Sequence, residues 1–133
     1  MCRLFALVVI AMTLCAPARA EGPLSAEAFE AHTEGRTLLF HSHGRAYGAE
    51  RYMPGRKVTW SFLDGECQDG YWYPLGEMIC FVYEGIEGQQ CWTFHAEGGG
   101  LRALFDGEET GTELYEAGET EEDLFCLGPK VGA

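Results

Sequence analysis

The sequence predicts a mostly β domain: an antiparallel meander of about eight short strands, curled into a small barrel or a strongly curved sheet, stapled by disulfides and preceded by one short N-terminal helix. Three observations carry this. Glycines recur at Gly44, Gly55, Gly65, Gly76, Gly88 and Gly99, ten to twelve positions apart and each beside polar or proline residues, which is the spacing of one turn per strand. The segments between those turns are rich in aromatic and β-branched residues. Four cysteines follow the N-terminal leader, an even number that suits a disulfide framework. Near-even spacing with short connections favours pairing of sequence neighbours, and a meander this long curls to remove its exposed edges. An open, twisted sheet with the helix on one face is the alternative.

The leader comes first. Arg3 is followed by an apolar run over residues 4–14 and then by Ala18-Arg19-Ala20, the small-x-small pattern that signal peptidase cleaves, so residues 1–20 read as a signal peptide. The run is about half the roughly 20 residues a membrane span needs, and Glu21 and Gly22 follow at once, so no stable membrane insertion is expected after cleavage. Leu14 before Cys15 does not fit a bacterial lipoprotein signal. The expected location is the periplasm or the exterior. Cleavage removes two arginines and no acid, taking the formal charge from −12 to −14.

Within residues 21–36, the segment 25–32 reads as the helix. Ser25 can cap it, Glu27 and Ala28 favour it, Leu24, Ala28 and Phe29 form an apolar stripe, and Gly35 ends it. The β domain is assigned to residues 37–116, with strands at 37–41, 46–53, 57–62, 67–73, 78–83, 89–95, 101–105 and 112–115. The clearest pattern sets Val58, Trp60 and Phe62 on one face against Lys57, Thr59 and Ser61 on the other. Residues 78–83 are apolar on both faces, which predicts cover on both sides, with the helix as a candidate cover. Residues 117–133 are assigned to an acidic C-terminal tail held by Cys126.

After the leader, Cys67, Cys80, Cys91 and Cys126 remain in an oxidising compartment, and two disulfides follow. A four-thiolate zinc site is disfavoured because no close CxxC pair exists. If Cys80 faces Cys91, then Phe81 faces Gln90 and Ile79 faces Trp92, with residues 84–87 left as a loop. That register gathers Ile79, Phe81, Trp92 and Phe94 on one face as a core cluster. Cys67 with Cys126 follows by elimination, and the competing pattern is Cys67 with Cys80 and Cys91 with Cys126.

Net acidity argues against nucleic acid as a partner, since nothing would neutralise its phosphates. His41 and His43, with His32 nearby, could share a metal, but His43 falls in a turn and no third ligand is specified, so no metal site is assigned. The run 106–123 holds nine acids and no base; calcium through Asp106, Glu108 and Glu109 lacks the EF-hand spacing, and a solvated face or a basic protein partner is the plainer reading. No GxSxG is present, Ser25, Ser42 and Ser61 have no evident base partner, and Gly98-Gly99-Gly100 lacks the residues of a phosphate loop. No catalytic residue and no cofactor are assigned. Of the strand aromatics, Tyr47, Trp60, Trp72 and Trp92 are the candidates to face a small apolar ligand if the barrel closes, against ordinary core packing.

The run Tyr71-Trp72-Tyr73, then Met78-Ile79-Cys80-Phe81-Val82-Tyr83-Glu84, then Gln90-Cys91-Trp92-Thr93-Phe94 resembles a family of small exported alphaproteobacterial proteins of unknown function, with a GxW, ICFxY, CW shape. The likeness spans residues 38–105. It implies periplasmic location and a β fold, and it assigns no chemistry. The sequence therefore points to an exported small β domain acting as a binding or structural module of the cell envelope, with a periplasmic enzyme or metal-binding protein as the alternative.

Overall fold

The structure, a computed structural model, describes residues 22–124 and Cys126. The leader assigned to residues 1–20 lies outside the described residues, as do residues 127–133 of the tail. Helix α1 covers Ala26–Thr33, and eight strands follow: β1 Thr37–Ser42, β2 Arg45–Met53, β3 Lys57–Ser61, β4 Cys67–Leu75, β5 Met78–Tyr83, β6 Gln90–Glu97, β7 Gly100–Phe105 and β8 Glu113–Thr120. Each strand pairs antiparallel with the next, and β8 returns to pair with β1, closing the barrel. Closure decides between the two architectures the sequence left open. It leaves no strand without two neighbours, which removes the edges that invite intermolecular pairing.

Alternation along the strands sets the interior. Leu38 and Phe40 of β1, Val58 and Trp60 of β3, Ile79 and Phe81 of β5, Phe94 of β6, Leu101 and Ala103 of β7 and Leu114 of β8 form one buried cluster with Tyr52 and Trp72. Helix α1 belongs to it through Phe29, which is wholly buried. The Ser25 hydroxyl accepts from Ala28 N–H at 3.1 Å, capping the helix as expected. The helix is then fastened to the barrel by backbone bonds on both flanks, Leu24 N–H to the Phe94 carbonyl and Gly35 N–H to the Tyr52 carbonyl. Glu116 of β8 joins in: its carboxylate meets His32 Nε2 at 2.7 Å and Arg36 at 3.5 Å.

Both expected disulfides are present, Cys80–Cys91 and Cys67–Cys126. The β5–β6 register is the one that pairs Cys80 with Cys91, Phe81 with Gln90 and Ile79 with Trp92.

Three details differ from the sequence reading. The helix does not lie on the outside of β5. It plugs one end of the barrel, and the outer face of β5 is apolar because Cys80, itself fully buried, is committed to the disulfide. The β5–β6 connection spans residues 84–89 rather than four residues, because the β5–β6 ladder ends at Phe81 with Gln90, and Val82 and Tyr83 pair with β4 alone. Finally, β8 runs on to Thr120, so the acidic segment supplies the closing strand and not only a tail. Its charges are partly offset: Glu113 bonds Arg102 at 2.8 Å, and Glu119 bonds Arg36 at 3.0 Å. Among the described residues, no helix is long and apolar enough to cross a membrane.

Candidate functional site

The end of the barrel opposite α1 is open to a cavity of about 230 Å³. Phe29 fills the closed end. Its ring meets Trp72 edge-on at 5.1 Å, Tyr52 at 5.7 Å and Phe94 at 4.5 Å, so the helix packs behind residues that line the lumen. The middle of the chamber is walled by Phe40, Trp60, Phe81, Phe94, Ala103 and Leu114, and its mouth by Tyr47, Phe62, Ile86, Gln90 and Trp92. Phe62 is half exposed at the rim.

Two local devices shape this wall. Phe40 pairs with Gly48 while His41 pairs with Ala46, which leaves Tyr47 as the extra residue of a bulge in β2. The bulge turns Tyr47 onto the lumen beside Trp60 and Phe62, at 5.9 Å from each ring. Gly48 faces the Trp60 ring so closely that a Cβ there would collide with it and with the Ser61 carbonyl. A glycine is therefore what lets the indole lie flat against the wall.

One ionisable side chain enters the apolar lining. Glu50 of β2 pairs with Leu38 on one side and Trp60 on the other, both of which point inward, so the pleat carries its carboxyl into the barrel. Glu50 is 1% exposed. Its Oε1 accepts a 2.6 Å hydrogen bond from the Tyr83 hydroxyl, and its Oε2 is buried with no hydrogen-bond partner among the described residues. Burial pushes the Glu50 carboxyl well above the usual carboxylate range, against the opposing pull of the Tyr83 bond. The Tyr52 and Tyr83 hydroxyls are also pushed up, first by burial and then by the nearby Glu50 charge. Tyr83 stacks on Phe81, with rings 6.0 Å apart and 4° from parallel, which fixes the direction of its hydroxyl. The site is an apolar aromatic chamber with one short polar line, Tyr83 to Glu50, ending in an acceptor without a partner.

Of the four aromatics the sequence nominated, Tyr47, Trp60 and Trp92 line the chamber. Trp72 does not: it is buried against Phe29, with the Arg56 guanidinium 4.5 Å over its ring. The helix plug claims the end of the barrel where Trp72 points, and alternation alone could not foresee that. The histidines are dispersed. His32 is bound to Glu116, and His43 sits in the β1–β2 turn against the Ser42 hydroxyl. Glu109, weighed for calcium, is paired with Arg102 at 2.7 Å. Among the described residues, no group of three or more His, Cys, Asp or Glu is placed to hold a metal.

Sequence reasoning missed Glu50 and Tyr83, the polar pair of the site. The signal was available in β3: its clean alternation fixes Trp60 as inward, and any partner of Trp60 in a β2–β3 hairpin shares that face. Comparison with protein-family models, with curated proteins and with solved structures finds no match to this chain. The geometry therefore carries the functional reading alone.

Proposed function

We propose that this is an exported β-barrel binding protein that takes a small, largely apolar ligand into the lumen. The observation that carries the reading is the unfilled aromatic chamber with a buried, half-satisfied carboxyl in its wall. Interiors are packed to near crystal density, and voids larger than a water molecule are few. A chamber of about 230 Å³ exceeds the roughly 150 Å³ apolar cavity that admits benzene, so a ligand of one ring with a short substituent matches it. Small barrels of eight strands have an interior of the right width to hold one such molecule.

Export belongs to the same proposal, supported by the leader pattern of residues 1–20, the two disulfides and the resemblance to small exported proteins of unknown function. Native mass spectrometry of protein recovered from a bacterial periplasm reads it directly: the expected mass is that of residues 21–133 less four hydrogens. An uncleaved chain or free thiols would contradict it.

Binding is tested by calorimetric titration with 2-phenylethanol, a neutral one-ring probe. The intact protein is expected to bind it in a one-to-one ratio. The variant Ala103→Leu, which adds bulk to the chamber wall at a residue 1% exposed, is expected to lose that binding while keeping the β signature in circular dichroism. Undiminished binding by the filled variant would place the probe elsewhere and overturn the lumen as the site.

A further inference from the structure

We infer that the ligand is an organic amine, bound with its ammonium against Glu50 and its apolar body among the aromatic rings of the barrel. The inference rests on the lumen-binding reading above and adds to it the charge of the ligand.

Four observations converge. The carboxyl of Glu50 is buried in the chamber wall, and only one of its oxygens is satisfied, by Tyr83. A buried acceptor of this kind carries a desolvation penalty that a donor supplied by the ligand would remove. Among the described residues the chamber lining contains no lysine, arginine or histidine, so none of their cations serves Glu50 there. Most of the remaining lining is aromatic, Trp60, Tyr47, Phe81 and Trp92 among it, and the negative quadrupole of a ring attracts a desolvated ammonium. The chain carries 21 acids against 9 lysines and arginines, a field that draws cations toward the molecule and repels anions.

A neutral ligand would use only the apolar surface and at most one hydrogen bond to Glu50. An anionic ligand would bring its charge into the net negative field of the chain and offer Oε2 no donor. An ammonium satisfies Oε2, gains from the rings and is favoured by the surrounding field.

The test is a matched set of one-ring probes of similar size, titrated into the intact disulfide-bonded protein by calorimetry: 2-phenylethylamine as cation, 2-phenylethanol as neutral reference and 3-phenylpropanoate as anion. The amine is expected to bind at least about tenfold tighter than the alcohol, and the anion weakest of the three. In Glu50→Gln the amine and the alcohol are expected to bind within about threefold of each other. The ranking on the unaltered protein stands as a test even if that variant folds poorly. Equal binding of amine and alcohol would overturn the amine assignment and leave the lumen reading intact, as would tighter binding of the anion. An amine preference kept in a folded Glu50→Gln protein would overturn the role of Glu50. Failure of all three probes to bind would overturn the lumen reading and this inference with it.

Discussion

Glu50 and Tyr83 meet across the barrel lumen from β2 and β5, strands that are not neighbours in the sheet, through a single 2.6 Å hydrogen bond. Because the two residues lie 33 positions apart on strands that do not pair, the contact exists only once the sheet has curled to bring β2 and β5 face to face. Deleting the donor leaves a buried carboxyl with both oxygens bare, so Tyr83→Phe is expected to destabilise by about 1–3 kcal/mol. Urea unfolding followed by tryptophan fluorescence measures it. A change below about 0.5 kcal/mol, the scale of an ordinary surface substitution, would mean that the carboxyl finds another donor when Tyr83 is lost.

The same carboxyl gives stability a pH dependence whose sign follows from its burial. Glu50 holds its proton in the folded protein above the pH at which the unfolded chain has lost it, so the folded state binds the extra proton. Its contribution is fully present below the unfolded glutamate value of about 4.3 and is lost as pH rises toward the folded value. Glu50→Gln cannot titrate, so the drop in Tm between pH 5 and pH 8 is expected to be smaller in the variant than in the parent. Thermal melts of both proteins across that range decide it, and parallel slopes would show Glu50 charged throughout.

Most of this architecture was legible because it rests on short-range chemistry. The glycine rhythm marked the turns, and the helix could be placed from Ser25 and the Leu24, Ala28, Phe29 stripe. The pairing of Cys80 with Cys91 followed from register, since one set of opposed residues put Ile79, Phe81 and Phe94 together. What remained hidden depends on contacts across the lumen. Trp72 and Trp60 sit in strands with similar patterns, yet the first packs on the helix plug and the second lines the chamber. Tyr47 faces inward only because of the bulge at its own position, which breaks the alternation that would have been used to place it. Glu50 looked like any other acid among 21 until its partner Trp60 fixed its face.

The floor of the chamber rests on one side chain. Phe29 is fully buried and touches Tyr52, Trp72, Phe81 and Phe94. Truncation to alanine removes these contacts and leaves a cavity that the surrounding strands, fixed by their hydrogen bonds, cannot close. Phe29→Ala is expected to lower stability by about 3–5 kcal/mol. It should also enlarge the lumen, so that a longer probe such as 4-phenylbutan-1-ol gains affinity relative to 2-phenylethanol. Loss of stability without that gain would mean that α1 collapses inward to fill the space.

Gly48 tests the packing of the wall itself. An added methyl would collide with the Trp60 ring and the Ser61 carbonyl, and the backbone side of that clash cannot rotate away. Gly48→Ala is therefore expected to destabilise by about 1–3 kcal/mol and to displace the indole into the chamber. The displacement has its own readout, a shifted tryptophan emission with weakened 2-phenylethanol binding, which an effect confined to backbone flexibility would not produce. Unchanged binding alongside lowered stability would show that the strand, and not Trp60, yields.

The two disulfides close loops of different length, and buried packing offsets the difference in weight that length alone would give. Cys67–Cys126 joins residues 59 apart and Cys80–Cys91 residues 11 apart. In the chain-entropy treatment the longer loop is worth about 4 kcal/mol and the shorter about 3. The shorter bridge, however, joins strands β5 and β6 that already pair in the sheet, and it fills the outer face of β5, where Cys80 is fully buried. Replacing Cys80 and Cys91 by alanine therefore also removes buried sulfur packing, while replacing Cys67 and Cys126 frees the segment after β8. Guanidinium unfolding of the two double variants is expected to show comparable losses, with limited proteolysis beyond Thr120 accelerated only in the Cys67→Ala, Cys126→Ala protein. Early cleavage in the other variant instead would show that the β5–β6 bridge, and not the tail bridge, holds the C-terminal segment to the barrel.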